Sequence, residues 1–236
     1  MQINTNTRRE GNDLWDNSSF REARMNQLEG MEVTAGVFNL IIGGVLLWGL
    51  FVDFLIAHFL GTAILQMNFI VMIILYFAAT LGGKFITYRF QNPAISFAGF
   101  TLMAAGFGLI ITYVVQGYTS STIVLALTIT AMVTAIMMIA GMLFPAFFFK
   151  ISRTLFLALA AVLVVSLITA LMGFRLGILD YVVIAIFCGY IGFDWARAQQ
   201  YPKNVDNAID SAADIFMDIV NIFIRVLSII GKSKKN

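Results

Sequence analysis

From residue 33 onward the chain is a succession of apolar stretches of helix length, separated by short polar breaks. They run from Val33 to about Ala57, Ile64 to Leu81, Ala94 to Val115, Ser121 to Phe144, Thr154 to Met172, Gly177 to Phe193 and Ala208 to Ile230. Asn92-Pro93 opens the third stretch and Pro145 closes the fourth, as expected of helix breakers; FRLGILD separates the fifth from the sixth. A membrane crossing needs about 20 apolar residues. The pattern therefore predicts an all-α integral membrane protein with seven transmembrane helices and no internal repeat. Residues 1–32 read as a polar N-terminal extension, 33–231 as the membrane domain and 232–236 as a basic tail.

Composition sharpens this picture. The 236 residues are 60% hydrophobic and 12% charged, with a mean hydropathy of +0.88; soluble domains carry roughly 25% charged residues. No charge occurs between Arg89 and Lys150. A soluble core is excluded on these grounds. The single cysteine, Cys188, rules out an internal disulfide, and with His58 as the one histidine there is no zinc-ligand cluster. Nothing resembles a nucleic-acid module, and no permanently bound cofactor is expected. The N-terminus MQINTNTRREGNDLWDNS is too polar for a cleavable signal, and Ser19 with Glu22 could cap a short helix there.

Charge placement predicts orientation. Lys84 and Arg89, Lys150 and Arg153, and Arg197 and Lys203 fall at the second, fourth and sixth breaks; the fifth carries only Arg175. The positive-inside rule puts the second, fourth and sixth breaks and the N-terminus in the cytoplasm. After seven crossings the tail GKSKKN would lie outside with its lysines, unless the last segment is re-entrant. The lack of a long loop or targeting segment makes a bacterial cytoplasmic membrane the expected location.

The last stretch, DNAIDSAADIFMDIVNIFIRVL, spaces Asp206, Asp210, Asp214 and Asp218 four residues apart. Asp206 and Asp210 are expected in a solvated first turn, where acids suit the helix dipole. Asp218 lies about ten residues into the segment, roughly 15 Å at helical rise. An aspartate there costs about 2.5–3.5 kcal/mol to insert. Asn221 and Arg225 follow at i+3 and i+7 on the same face. This polar stripe predicts a central C-terminal helix with the other six around it; the alternative is that Asp218 pairs with Arg225 as internal glue. Asp194, in YIGFDWARAQQ, closes the sixth stretch, either as an interfacial charge or close to Asp218. Two close carboxylates cannot both ionise without penalty and titrate as a unit. Ionised, they offer hard oxygens to Ca²⁺.

At these residues the chain resembles the Bax inhibitor-1, or transmembrane BAX inhibitor motif, family. YIGFDWARAQQ (190–200) is similar to the Y-x-x-x-D segment of its sixth helix, FMDIVNIFIRVL (216–227) to its seventh, and FAGFTLMAAGFGL (97–109) to its glycine-spaced third. The resemblance implies six helices wrapped around a central seventh, and a pH-sensitive passive Ca²⁺ leak in which Asp194 and Asp218 bind the ion and sense protons. Asp214, Asn221, Arg225 and Lys84 are the candidates for tuning the pore or gate. Bacterial leak proteins of the family carry a glutamate on the second helix, where Asn68 or Phe69 stands here, and arginines at its end, where the nearest base is Lys84.

The leading expectation is thus a passive cation pathway, for Ca²⁺, with a dependence on pH between about 5 and 8. The alternative is a non-transporting regulator of another membrane protein, such as a membrane protease, contacted through residues 1–32. An enzyme is not expected. An intramembrane aspartyl protease would need a GxGD segment, and here FD (193–194) is joined by IFMD (215–218). His58 has no G-x-S-x-G-like partner, and no lysine sits in mid-span for retinal. The expected partners are lipid, Ca²⁺, protons and, in the alternative, another membrane protein. Asp53 and His58 read as outer-edge charges that keep their water, and Gly99, Gly106 and Gly108 as close helix contacts.

Overall fold

The computed structural model describes residues 25, 32–173 and 176–233. The proposed Ser19–Glu22 cap, Arg175 and residues 234–236 lie outside them, as does most of the N-terminal extension. The described residues form seven long helices and no sheet: α1 (Ala35–Gln66), α2 (Phe69–Arg89), α3 (Pro93–Val115), α4 (Ser120–Leu143), α5 (Pro145–Leu171), α6 (Ile178–Ala198) and α7 (Val205–Ser233). Six are long and apolar enough to cross a membrane. The seventh is long enough but carries four aspartates and Arg225.

The helices outrun their apolar stretches, and the polar side chains of the breaks act as caps. Asn68 accepts from the Ile70 amide at 2.9 Å, so the first break falls at Met67–Asn68 rather than between Ala57 and Ile64. Asn92 caps α3 with Pro93 in its first turn, where a missing N–H costs nothing. Thr34 and Thr119 cap α1 and α4, and Asn204 accepts from the Asn207 amide at 2.7 Å at the start of α7. After Phe144 the chain re-enters a helix at once, because Pro145 is well suited to a first turn. Lys150 and Arg153 therefore sit inside α5, not in a loop. Lys84 likewise sits inside α2, and Arg89 and Arg197 belong to the last turns of α2 and α6.

The packing has two groups. α3 packs on α1 and α2, and α6 packs on α4 and α5; α7 contacts α1, α2, α3, α4 and α6. In a bilayer such contacts rest on close van der Waals fit rather than on water expulsion. Gly99 shows how close: an added Cβ would stand 2.6 Å from the Thr87 hydroxyl and 2.7 Å from the Thr87 amide of α2. Phe216 of α7 is fully buried edge-on to Phe100 and Phe107 of α3, at ring separations of 5.4 and 5.9 Å.

α7 is one continuous helix, and no residue between Val205 and Gly231 is exposed. Its first turn lies by the start of α1, since the Val33 amide donates to the Lys203 carbonyl at 2.7 Å. Its last turn abuts Tyr118, between α3 and α4. The helix thus extends from the end of the bundle at the start of α1 to the end at Tyr118. In the turn before α7, Lys203 donates to the Ala198 and Gln199 carbonyls that end α6, at 3.0 and 2.7 Å. It lies 4.5 Å over the Phe38 ring, and partial burial holds its ammonium below the usual lysine range.

Candidate functional site

The acids of α7 are not a solvated turn. Asp206, Asp210, Asp214 and Asp218 are 7%, 0%, 4% and 2% exposed. The correction concerns Asp206 and Asp210, expected in water. Their i+4 spacing puts them on one stripe, and α7 packs against α1, α2, α3, α4 and α6. Asp206 accepts from the Ser96 hydroxyl of α3 at 2.6 Å, a contact that holds a carboxylate out of water.

Two turns deeper, three helices converge. Arg197 of α6 reaches Asp194 on its own helix and Asp214 on α7, both at 2.7 Å. Asp214 also accepts from the Tyr88 hydroxyl of α2 and lies 3.6 Å from the Lys84 ammonium. Lys84 stands 5.4 Å from the Tyr88 ring and 3.7 Å from the Met217 sulfur, while Arg197 covers the Phe193 ring at 4.9 Å. Asp218 lies within hydrogen-bonding reach of Asp194 and within the electrostatic reach of Asp214 and Lys84. Tyr190, one turn before Asp194, faces both members of that pair. Asp194 and Asp218 are thus two acids brought close together inside the bundle, and two carboxylates this close titrate as a unit.

Of the sequence candidates, Asp194, Asp218, Asp214 and Lys84 come together here; Asn221 and Arg225 do not. Asn221 turns its amide to the Met217 carbonyl of its own helix at 2.8 Å. Arg225 pairs with Asp180 of α6 at 3.2 Å, and Ser228 donates to the other Asp180 oxygen at 3.3 Å. The Asp218–Arg225 pair is thereby excluded: seven residues separate them by about 10 Å along the axis, and antiparallel α6 offers Arg225 a nearer acid. Asn68 and Phe69 are also far from the cluster, at the opposite end of α2 from Lys84. Sequence reasoning missed Arg197, Tyr88 and Asp180 as site residues. The signal for two of them was present, since Arg197 is i+3 from Asp194 and Tyr88 is i+4 from Lys84.

Ca²⁺ takes six to eight oxygens, and among the described residues no group of three or more metal-ligating side chains is placed to hold an ion. Arg197 stands where a cation would neutralise Asp194 and Asp214.

Another correction concerns Asp53. It lies midway along α1 and is only 5% exposed, because its face turns towards α3, α4 and α7 rather than the helix end. His58 is exposed, stacked on Phe54 at 5.6 Å.

Taken together, the chain is a multi-pass helical membrane protein with a buried carboxylate cluster between its last two helices. A family model described as "Inhibitor of apoptosis-promoting Bax1" matches residues 30–235, and the chain belongs to that Bax inhibitor family. Comparison with curated protein sequences finds no match.

Proposed function

We propose that the protein is a pH-sensitive passive cation leak, with Ca²⁺ as its cargo, in which six spans wrap around α7 and the ion passes along its acidic stripe. The observation that carries this reading is the approach of Asp194 and Asp218 inside the bundle. Asp206 and Asp210 form the access path from the end of α7 that faces the start of α1, the cytoplasmic end in this reading. Asp194 and Asp218 bind the ion when ionised and release it when a proton takes its place. Arg197 is the closed-state occupant: its guanidinium holds Asp194 and Asp214 until a cation or a shift of α6 displaces it. Lys84 and Tyr88 set the charge and hydrogen bonding of Asp214 from α2. Protonation removes the acceptor charge, so flux falls as pH falls through the titration of the pair. No step of this reading requires covalent chemistry.

The test is Ca²⁺ flux into liposomes holding the purified protein, across pH, beside Asp218→Asn. Flux that rises with pH in the parent and loses that dependence in the variant supports the leak. No flux at any pH would leave the cluster as structural glue and favour a regulator of another membrane protein.

A further inference from the structure

A second polar feature lies away from the α6–α7 cluster, in a cavity of about 590 Å³ between α1, α3, α4 and α7. α1 and α4 belong to different groups, so the cavity occupies the seam between them, with α7 as its floor. Its wall is almost wholly aliphatic and aromatic, with Phe54, Leu127, Met138 and Phe223 among the lining residues. Two polar groups aim into it without a hydrogen-bond partner: both carboxyl oxygens of Asp53 and the hydroxyl of Thr134. Asp53 is 5% and Thr134 8% exposed. The neighbouring Thr130 hydroxyl is already engaged, donating to the Ala126 carbonyl at 2.8 Å.

Leaving a buried carboxyl group without a partner is destabilising, and such a group is retained where something else satisfies it. The lining contains no basic residue, so a positive partner for the ionised carboxylate can come only from outside the wall. A small metal ion fits poorly. It would shed its water for one carboxylate and one or two hydroxyls, against the six or more oxygens that Ca²⁺ requires. An organic ammonium fits on both counts, because its nitrogen neutralises the acid while its apolar body replaces lipid or void along the wall. Phe54 and Phe223 add ring faces that attract a cation. The volume is that of an ordinary small-molecule pocket, roughly 300–1,000 Å³.

We propose that this cavity is a binding site for a lipophilic amine, its ammonium paired with Asp53 and Thr134 and its apolar body lodged between α1 and α4. The site is separate from the leak reading and is tested by binding rather than flux. The probe is tritiated desipramine, a secondary amine whose cationic form has two N–H donors on an apolar tricycle. It is titrated onto the full chain in nanodiscs, with empty nanodiscs as the blank. Saturable binding is expected, weakened at least tenfold by Asp53→Asn and about threefold by Thr134→Val. Desipramine should raise the melting temperature of the parent and not that of Asp53→Asn. Iminodibenzyl, the same tricycle without the amine chain, should not compete. Leu127→Trp fills the cavity with Asp53 intact and should also abolish binding. No saturable binding above empty nanodiscs, equal binding in Asp53→Asn or in Leu127→Trp, or full competition by iminodibenzyl would each overturn the proposal.

Discussion

The two ends of the α6–α7 pair hold buried acids under opposite rules. At one end Asp180 faces Arg225 and Ser228, an acid met by a base and a hydroxyl. At the other, Asp194, Asp214 and Asp218 crowd together, with Arg197, Lys84 and Tyr88 distributed among them. The first arrangement fastens two helices. The second joins helices too, but it brings three acids together with two bases shared among them, and in the proposed leak it is where a proton and a cation exchange. Buried acids alone do not define a functional site in a membrane bundle; their company does.

The largest expected effect separates the two ends by stability. Arg225→Met strands Asp180, which is almost fully buried, without its arginine. Removing one partner of a buried pair costs about 3–5 kcal/mol. The Arg225 side chain keeps 31% of its exposure, so solvent lowers the expected loss to about 2–3 kcal/mol. Denaturant unfolding in mixed micelles measures it, while the pH profile of flux keeps its midpoint. A shifted midpoint would break the distinction between the ends. Next comes Asp218→Asn, for which the flux ratio between pH 8 and pH 5 should collapse by about tenfold, equivalent to about 1.4 kcal/mol, with unfolding unchanged or delayed. The smallest effect is that of Tyr88→Phe. It removes one donor from Asp214, worth about 1 kcal/mol for an ordinary hydrogen bond. Flux should change two- to fivefold at fixed pH while the steepness of the profile is retained, and an unchanged rate would show that α2 does not act on the cluster.

Much of this organisation was legible in the chain because membrane helices announce themselves by length and apolarity. The approximate positions of all seven followed from the runs between Val33 and Ile230. Their ends did not. Pro145 reads as a stop, yet it starts α5 immediately, and Asn68 caps a helix inside what looks like a continuing span. Asp194 and Asp218 could be found because both stand out against apolar neighbours and family motifs surround them. Asp53 stands out equally, but a sequence does not say which way a residue on an apolar helix faces, and it was read as peripheral. Arg225 shares a helix face with Asp218, and only the antiparallel partner decides that its acid is Asp180. Periodicity reports the face of one helix; pairing requires the register of two.

Asp214 deserves a mechanical reading as well as an electrostatic one. Lys84 and Tyr88 approach it from the α1–α3 group, and Arg197 approaches it from the α4–α6 group. One side chain on the intervening helix is therefore a clasp across the seam of the bundle. Parting the two groups would break these contacts. Through this single carboxylate, the cohesion of the two groups and the charge at the cluster rest on the same contacts.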